Sequence, residues 1–353
     1  MEQKISRFFI ALTIFIPISF GMALLTQERM LIFMTSALAL IPLARIMGFS
    51  TNEIALQTNP AFGGLVNATF GNIMELVIAI FALGSGLIRV VQASIIGSII
   101  GNILLLIGLS VFFGGLRYKE QSFNKYSAGV SSTMLIIAVV GLAIPTVYSL
   151  LNPDSAHVAI ISDAVVVILA FTYLAGIVFS FFTHKHLFDS SDEIKASKHK
   201  PVMRKGRAAL VLIIATVIMT FEADFLVSQV EFAANYIGLT QTFIGVVIIA
   251  ILTNIAEKAN AVHFAIDNKI DIALEIGLSS ATQIALFVVP ILVLVSEIMG
   301  FGFSLVFSLF EIVSMFFAVM IINYLSSDGK CNWLEGVQLI SVYMILAIVF
   351  FFV

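Results

Sequence analysis

The chain has 353 residues, 60% of them hydrophobic and 11% charged, with a formal net charge of −3 and one cysteine, Cys331. Soluble domains carry roughly a quarter of charged residues, so this chain cannot cover a water-facing surface, and its mean hydropathy of +1.10 makes it an integral membrane protein. One cysteine excludes an intramolecular disulfide and a Cys-rich metal site, and the near-neutral charge gives no reason to expect a nucleic-acid partner.

About 20 consecutive apolar residues span a bilayer. A hydropathy window finds eleven such stretches, near residues 8–25, 30–48, 63–86, 91–114, 128–150, 157–182, 208–230, 239–265, 272–297, 303–325 and 333–353. The first follows Lys4 and Arg7 in the manner of a secretion signal. Its run from Phe8 to Leu25 exceeds the roughly 7–15 apolar residues of a signal, however, and its flank Leu25-Thr26-Gln27-Glu28-Arg29 lacks a small-residue cleavage site. Residues 1–29 are therefore read as a retained first helix. Residues 30–183 hold five further spans, 184–207 form a polar linker of mixed charge with Pro201, and 208–353 hold the last five.

The basic residues orient these spans. Fifteen of the 18 fall on the side of the N-terminus: Lys4, Arg7, Arg45, Arg117, Lys119, Lys125, seven in the linker, Lys269 and Lys330. Only Arg29 and Arg89 fall on the other side, and Lys258 lies within a span. Loops rich in Lys and Arg stay cytoplasmic. The N-terminus and linker are thus expected in the cytoplasm and the C-terminus on the opposite face, in a prokaryotic cell (inner) membrane.

An internal repeat relates the halves. Gly71-Asn72-Ile73-Met74-Glu75 in the third span is matched by Thr253-Asn254-Ile255-Ala256-Glu257 in the eighth, 182 residues later (75 to 257), and the same offset carries Ser98 onto Ser280. Five spans is an odd number, so the halves enter the membrane in opposite directions. The expected fold is all-α, an extra first helix plus two inverted five-helix repeats, the plan of many secondary transporters with a site at mid-membrane.

A carboxylate at the bilayer centre is costly and normally functional, and Glu75 and Glu257 both fall near the middle of their spans. Gly71 and Asn72, like Thr253 and Asn254, are poor helix formers one turn earlier. They predict local breaks that bare carbonyl oxygens. Asn72 and Asn254 stand three residues before each Glu, on roughly the same helical face. Carboxylates with amide and carbonyl oxygens suit a hard cation such as Ca2+, which takes 6–8 oxygen ligands. The absence of a His or Cys cluster argues against zinc or copper, and His263 reads as packing rather than ligand. Burial disfavours an ionised carboxylate, so protons and a divalent cation compete for the pair. Two protons or one Ca2+ neutralise it equally, which is the least machinery that exchange requires.

Other polar residues in the spans keep two readings. Ser98 and Ser280, with Asn102 and Gln283, are further oxygen ligands or interhelical hydrogen-bond glue. Gly97 and Gly101 are spaced for close helix packing. Glu222 and Asp224 line either an entrance or a solvated rim, and Glu311 is a helix-pairing group or a proton-path residue. The sequon Asn67-Ala68-Thr69 lies inside a span, where glycosylation has little force.

The stretch from Gly63 to Leu76, ending Phe70-Gly71-Asn72-Ile73-Met74-Glu75-Leu76, resembles the first signature repeat of the cation/proton exchanger (CAX) family, part of the calcium/cation antiporter superfamily. Asn254-Ile255-Ala256-Glu257, the stretch from Asp271 to Pro290 with Ser280 and Gln283, and Asn332-Trp333-Leu334-Glu335-Gly336 are similar to its later motifs, so the resemblance spans nearly the whole chain. It implies that Glu75 and Glu257 alternate between Ca2+ and H+, flanked by Asn72 and Asn254. It also implies export of cytosolic Ca2+ driven by an inward proton gradient, without a cofactor, from within a lipid bilayer. The Gly-Thr-Ser-x-Pro-Glu motif of the sodium/calcium branch is absent. This chain departs from the family's usual Gly-Asn-x-x-Glu-His at Thr253 and Lys258. A cation beside a binding carboxylate lowers divalent affinity, stabilises ionised Glu257, or ties off a carboxylate in another span. A same-fold exchanger of Na+, K+ or Mn2+ is the main alternative and a Glu-lined channel the lesser. No Ser/Lys pair, His-Glu zinc motif or paired Asp motif in the spans supports an intramembrane enzyme.

Overall fold

The computed structural model describes residues 7–26, 28–58, 69–153, 157–184 and 201–352, with Gly63, Val66 and Leu187 besides. The sequon asparagine and most of the 184–207 linker lie outside the described residues. Among those described, nine helices are long and apolar enough to cross a membrane: α1 (Arg7–Leu25), α2 (Arg29–Ala55), α4 (Ile88–Arg117), α5 (Lys125–Leu151), α6 (His157–Thr183), α7 (Lys205–Ile237), α8 (Gln241–Ile266), α9 (Ile270–Met299) and α11 (Trp333–Phe352). Two shorter apolar helices, α3 (Ile73–Gly84) and α10 (Leu309–Leu325), fall within the expected third and tenth spans.

Burial sorts these helices into a centre and a periphery. Most of α4 and α9 is enclosed by protein, whereas α1 is almost bare. Its exposed Phe8, Ile10, Ile14, Leu24 and Leu25 form a surface that only lipid or a partner can cover. At the centre α4 crosses α8 with backbones in near contact. A Cβ on Gly97 would collide with the Val246 carbonyl, and one on Gly245 would lie 2.6 Å from the Cβ of Ala93. Gly97 is therefore structural, as its spacing predicts. This crossing brings Ser98 on α4 within reach of Asn254 on α8.

Three central helices depart from regular α geometry near that crossing, with π-helical turns at Gly101–Leu106 in α4, Ile244–Ile249 in α8 and Ile284–Val288 in α9. Such turns gather at functional sites because they re-aim the residues that follow. The expected breaks appear on one side only. Asn72 leaves helical geometry (φ −110°, ψ 20°) and α3 starts at Ile73, but Thr253 and Asn254 lie inside unbroken helix. In the second half the irregularity is the π turn at Ile244–Ile249, one turn upstream. Glu75 accordingly sits in the first turn of α3 rather than in mid-helix, where the positive end of the helix dipole favours a carboxylate.

The expected tenth span begins six residues late. Gly300 and Gly302 adopt positive φ, and the segment after them is held by side chains: Gln92 donates to the Val306 carbonyl at 2.7 Å and Thr146 to the Leu305 carbonyl at 3.2 Å. Helix α10 then opens with a capping box of Ser308 and Glu311. At the other end of the molecule, where the 184–207 linker joins, Glu53 accepts the Met203 backbone N–H at 2.8 Å. There Gln57 donates to the Met203 carbonyl at 2.8 Å and accepts the Lys205 N–H at 2.9 Å. This clamp fixes the start of α7 to the end of α2, and the two helices pack along much of their length. A two-residue antiparallel ladder, Gln121–Ser122 with Lys330–Cys331, closes loops near Arg117.

Candidate functional site

Residues from α3, α4, α8 and α9 meet in one hydrogen-bonded cluster. The Asn72 amide donates to Gln283 Oε1 at 2.7 Å, and the Ser280 hydroxyl donates to Asn72 Oδ1 at 3.3 Å. The Asn102 amide donates to Ser280 Oγ at 2.9 Å and to Asn254 Oδ1 at 3.3 Å. The Asn254 amide donates to Thr253 Oγ1 at 2.9 Å and to Ser98 Oγ at 3.4 Å. Asn72, Asn254, Ser98, Ser280 and Asn102 are all buried. Every secondary oxygen candidate read from the sequence is therefore brought together with the two asparagines.

Glu75 and Glu257 lie at this cluster, near enough for the charge of Glu257 to act on Glu75. The Thr253 side chain stands beside the Glu75 carboxylate, and Ser280 beside that of Glu257. Glu75 Oε2, Glu257 Oε2 and Asn102 Oδ1 are each enclosed without a hydrogen-bond partner. Buried polar atoms are almost always paired, and three orphaned oxygens in one cluster are acceptors that a cation or protons would satisfy. Among the described residues no His, Cys, Asp or Glu triad stands ready for a metal; the oxygens come from two carboxylates and neutral side chains.

The two carboxylates face different spaces. Glu257 lines a cavity of about 330 Å³ that also touches Arg45, Phe49, Asn52, Asn260 and Phe264. These residues belong to the ends of α2 and α8 on the linker side of the molecule, so the cavity opens there. Glu75 faces the opposite way, into a gap of about 10 Å³ walled by Ile78, Ile95, Ile249, Ile284 and Leu292. That gap holds no more than a single water. Access to the cluster is open on the linker side and sealed on the other.

The remaining candidates separate from the cluster. Lys258 is buried, yet it lines neither space. Glu222 is fully buried rather than at a rim or entrance, accepting the Ser19 hydroxyl of α1 at 2.7 Å, while Asp224 is exposed. Glu311 caps α10, taking the Ser308 backbone N–H at 2.7 Å, with Arg89 at 3.9 Å. His263 is exposed and beside Asp267, neither ligand nor packing residue. Thr253 is the residue that sequence reasoning undervalued. Its position, 182 residues after Gly71, was visible, but its place beside Glu75 was not.

The chain matches the sodium/calcium exchanger protein family over residues 29–182 and 207–352. It is 40% identical over 365 residues to the Ca2+/H+ antiporter of Synechocystis sp., covering 98% of both chains. It is 38% identical over 346 residues to the Ca2+/H+ antiporter ChaA of Bacillus subtilis, again with 98% of both chains. The solved structure of native YfkE superposes with a TM-score of 0.85 at 37% identity, covering 98% of this chain and 100% of that one.

Proposed function

Because the chain belongs to the sodium/calcium exchanger protein family, we propose that it is a secondary antiporter that exchanges Ca2+ for H+ across a membrane through Glu75 and Glu257. The observation that carries this reading is the pair of carboxylates, each with an enclosed orphan oxygen, with Glu257 on the wall of a one-sided cavity and Glu75 facing the closed gap opposite. Two ionised carboxylates and neutral oxygens make a site for one divalent cation. Their burial makes an empty, doubly charged state costly, so either Ca2+ or protons must occupy the pair before it crosses. That obligation is what couples the two fluxes.

Eleven spans in an extra helix plus two inverted repeats accommodate the cluster well. The bonds cross between halves in matched pairs: Asn72 with Ser280, and Asn254 with Ser98. The offset of 182 carries one pair onto the other. The π turns of α4 and α9, beginning at Gly101 and Ile284, fall within one residue of the same offset. With the linker cytoplasmic, as the distribution of Lys and Arg supports, the described state opens to the cytoplasm and offers Glu257 first. Ca2+ taken up there leaves on the far side, and protons return.

Competition fixes the sign of the pH dependence. Each Ca2+ displaces up to two protons from the pair, so apparent Ca2+ affinity rises with pH, by at most about hundredfold per pH unit. It levels off once both carboxylates are ionised. Equilibrium Ca2+ binding to the purified protein in detergent, repeated between about pH 5 and pH 9 with proton release followed by indicator dye, checks this. A Ca2+ affinity unchanged across that range, with no protons released, contradicts the proposal.

A further inference from the structure

One charge near the cluster is unused by this exchange scheme. Lys258 directly follows Glu257, is 6% exposed, and sends its side chain back along α8 so that Nζ donates to the Ala250 carbonyl at 3.4 Å. Nζ also lies against the π turn of α4, 3.9 Å from where a Cβ on Gly101 would stand. That carbonyl is its single hydrogen-bond partner among the described residues, and no carboxylate lies within ion-pair distance. Its charge nevertheless acts on both Glu257 and Glu75.

The placement matters more than the presence of a cation. Lys258 touches neither the linker-side cavity nor the sealed gap. It therefore stands outside the space through which ions reach Glu257, buried from solvent. Arg45, the other cation near the site, lines the cavity itself, where mobile ions reach it.

We infer that Lys258 is a fixed counter-charge behind the binding site, which weakens Ca2+ binding and thereby speeds its release. The inference rests on the exchange reading above. Coulomb repulsion scales with the product of the charges, so a lysine at a fixed distance opposes a divalent cation twice as strongly, in free energy, as a monovalent one. The carboxylates supply attraction, and Lys258 subtracts from it. A cation exchanger must release its cargo on every cycle, and over-tight binding slows turnover.

The test compares Lys258→Met, which keeps the volume, and Lys258→Gln, which keeps a donor for the Ala250 carbonyl, with Lys258→Arg, which keeps the charge. Equilibrium Ca2+ binding is measured on each purified protein at one pH on the plateau where both carboxylates are already ionised, so that proton competition does not mask the effect, and transport KM and kcat in proteoliposomes. Both neutral variants should bind Ca2+ about tenfold or more tightly, with KM lowered in step and kcat reduced. The Arg variant should keep wild-type affinity. A merely structural role predicts the reverse, weaker binding or none. Neutral variants whose affinity is unchanged or weaker overturn the inference, even where one of them fails to fold and only the other is measured. Wild-type binding that survives Glu257→Gln unchanged overturns the exchange reading as well; wild-type binding that needs Glu257 but ignores Lys258 overturns this inference alone.

Discussion

Glu257→Gln and Glu75→Gln should each reduce Ca2+/H+ exchange by about 100-fold or more, while the protein still inserts and folds. Glutamine keeps the shape and the hydrogen-bond acceptor but removes the charge. Ca2+ then loses one of the two anions that offset its dehydration, a loss of roughly 2–5 kcal/mol, which corresponds to at least about 30-fold in affinity. The amide also cannot take up a proton, so the return half of the cycle is lost too. The amide keeps an acceptor beside Thr253 and Ser280 and removes a buried charge, so stability should change little. Flux of Ca2+ in proteoliposomes, paired with thermal unfolding, checks both halves of the expectation. Activity above about a tenth of wild type in either variant would show that the carboxylate concerned is not obligatory.

The second large effect concerns access. The native cysteine, Cys331, is 2% exposed, so the wild-type protein should be almost inert to water-soluble thiol reagents, which attack exposed thiolates. Ser279→Cys places a thiol on the wall of the linker-side cavity, and Ala79→Cys places one on the wall of the sealed gap. Ser279→Cys should react about 100-fold faster or more than Ala79→Cys with a membrane-impermeant reagent applied from the linker side. Equal rates would mean that the seal formed by Ile78, Ile95, Ile249, Ile284 and Leu292 is not closed. Reagent applied from the opposite side, under a proton gradient that drives turnover, should bring Ala79→Cys into reach.

Different physics decided how far each feature was legible in the sequence. Nine spans were readable among the described residues because bilayer thickness imposes a length on apolar runs. The Asn-x-x-Glu pairs stood out because polar groups inside such runs are rare. Helix irregularities were harder to read. Asn72 does break its helix, but Asn254 does not, because in the second half the π turn at Ile244–Ile249 takes up the irregularity, and π turns have no compositional signature. The role of Glu311 was within reach: Ser308-Leu309-Phe310-Glu311 has capping-box spacing ahead of an apolar run, and the structure forms that box. Glu222 was not, because its partner Ser19 lies in α1 and no periodicity links positions 203 residues apart.

Thr253 and Lys258 show how one-sided departures from the repeat acquire meaning. Where Gly71 stands in the first half, Thr253 places a hydroxyl beside Glu75. Where Leu76 follows Glu75, Lys258 follows Glu257 and is buried behind the cluster. The two glutamates are thus unequal in surroundings as well as in access, and Glu257 is the one that meets the open cavity.

Ca2+ uptake into proteoliposomes under an imposed pH gradient, with no other ion gradient present, tests the central claim most directly. With the proton concentration higher inside the vesicles, outward proton flow should drive Ca2+ inward against its own gradient, and reversing the gradient should reverse the flux. Neither should occur with Glu257→Gln. Ca2+ movement that only runs down its own gradient, indifferent to the sign of the pH gradient, would contradict exchange and leave a passive pathway in its place.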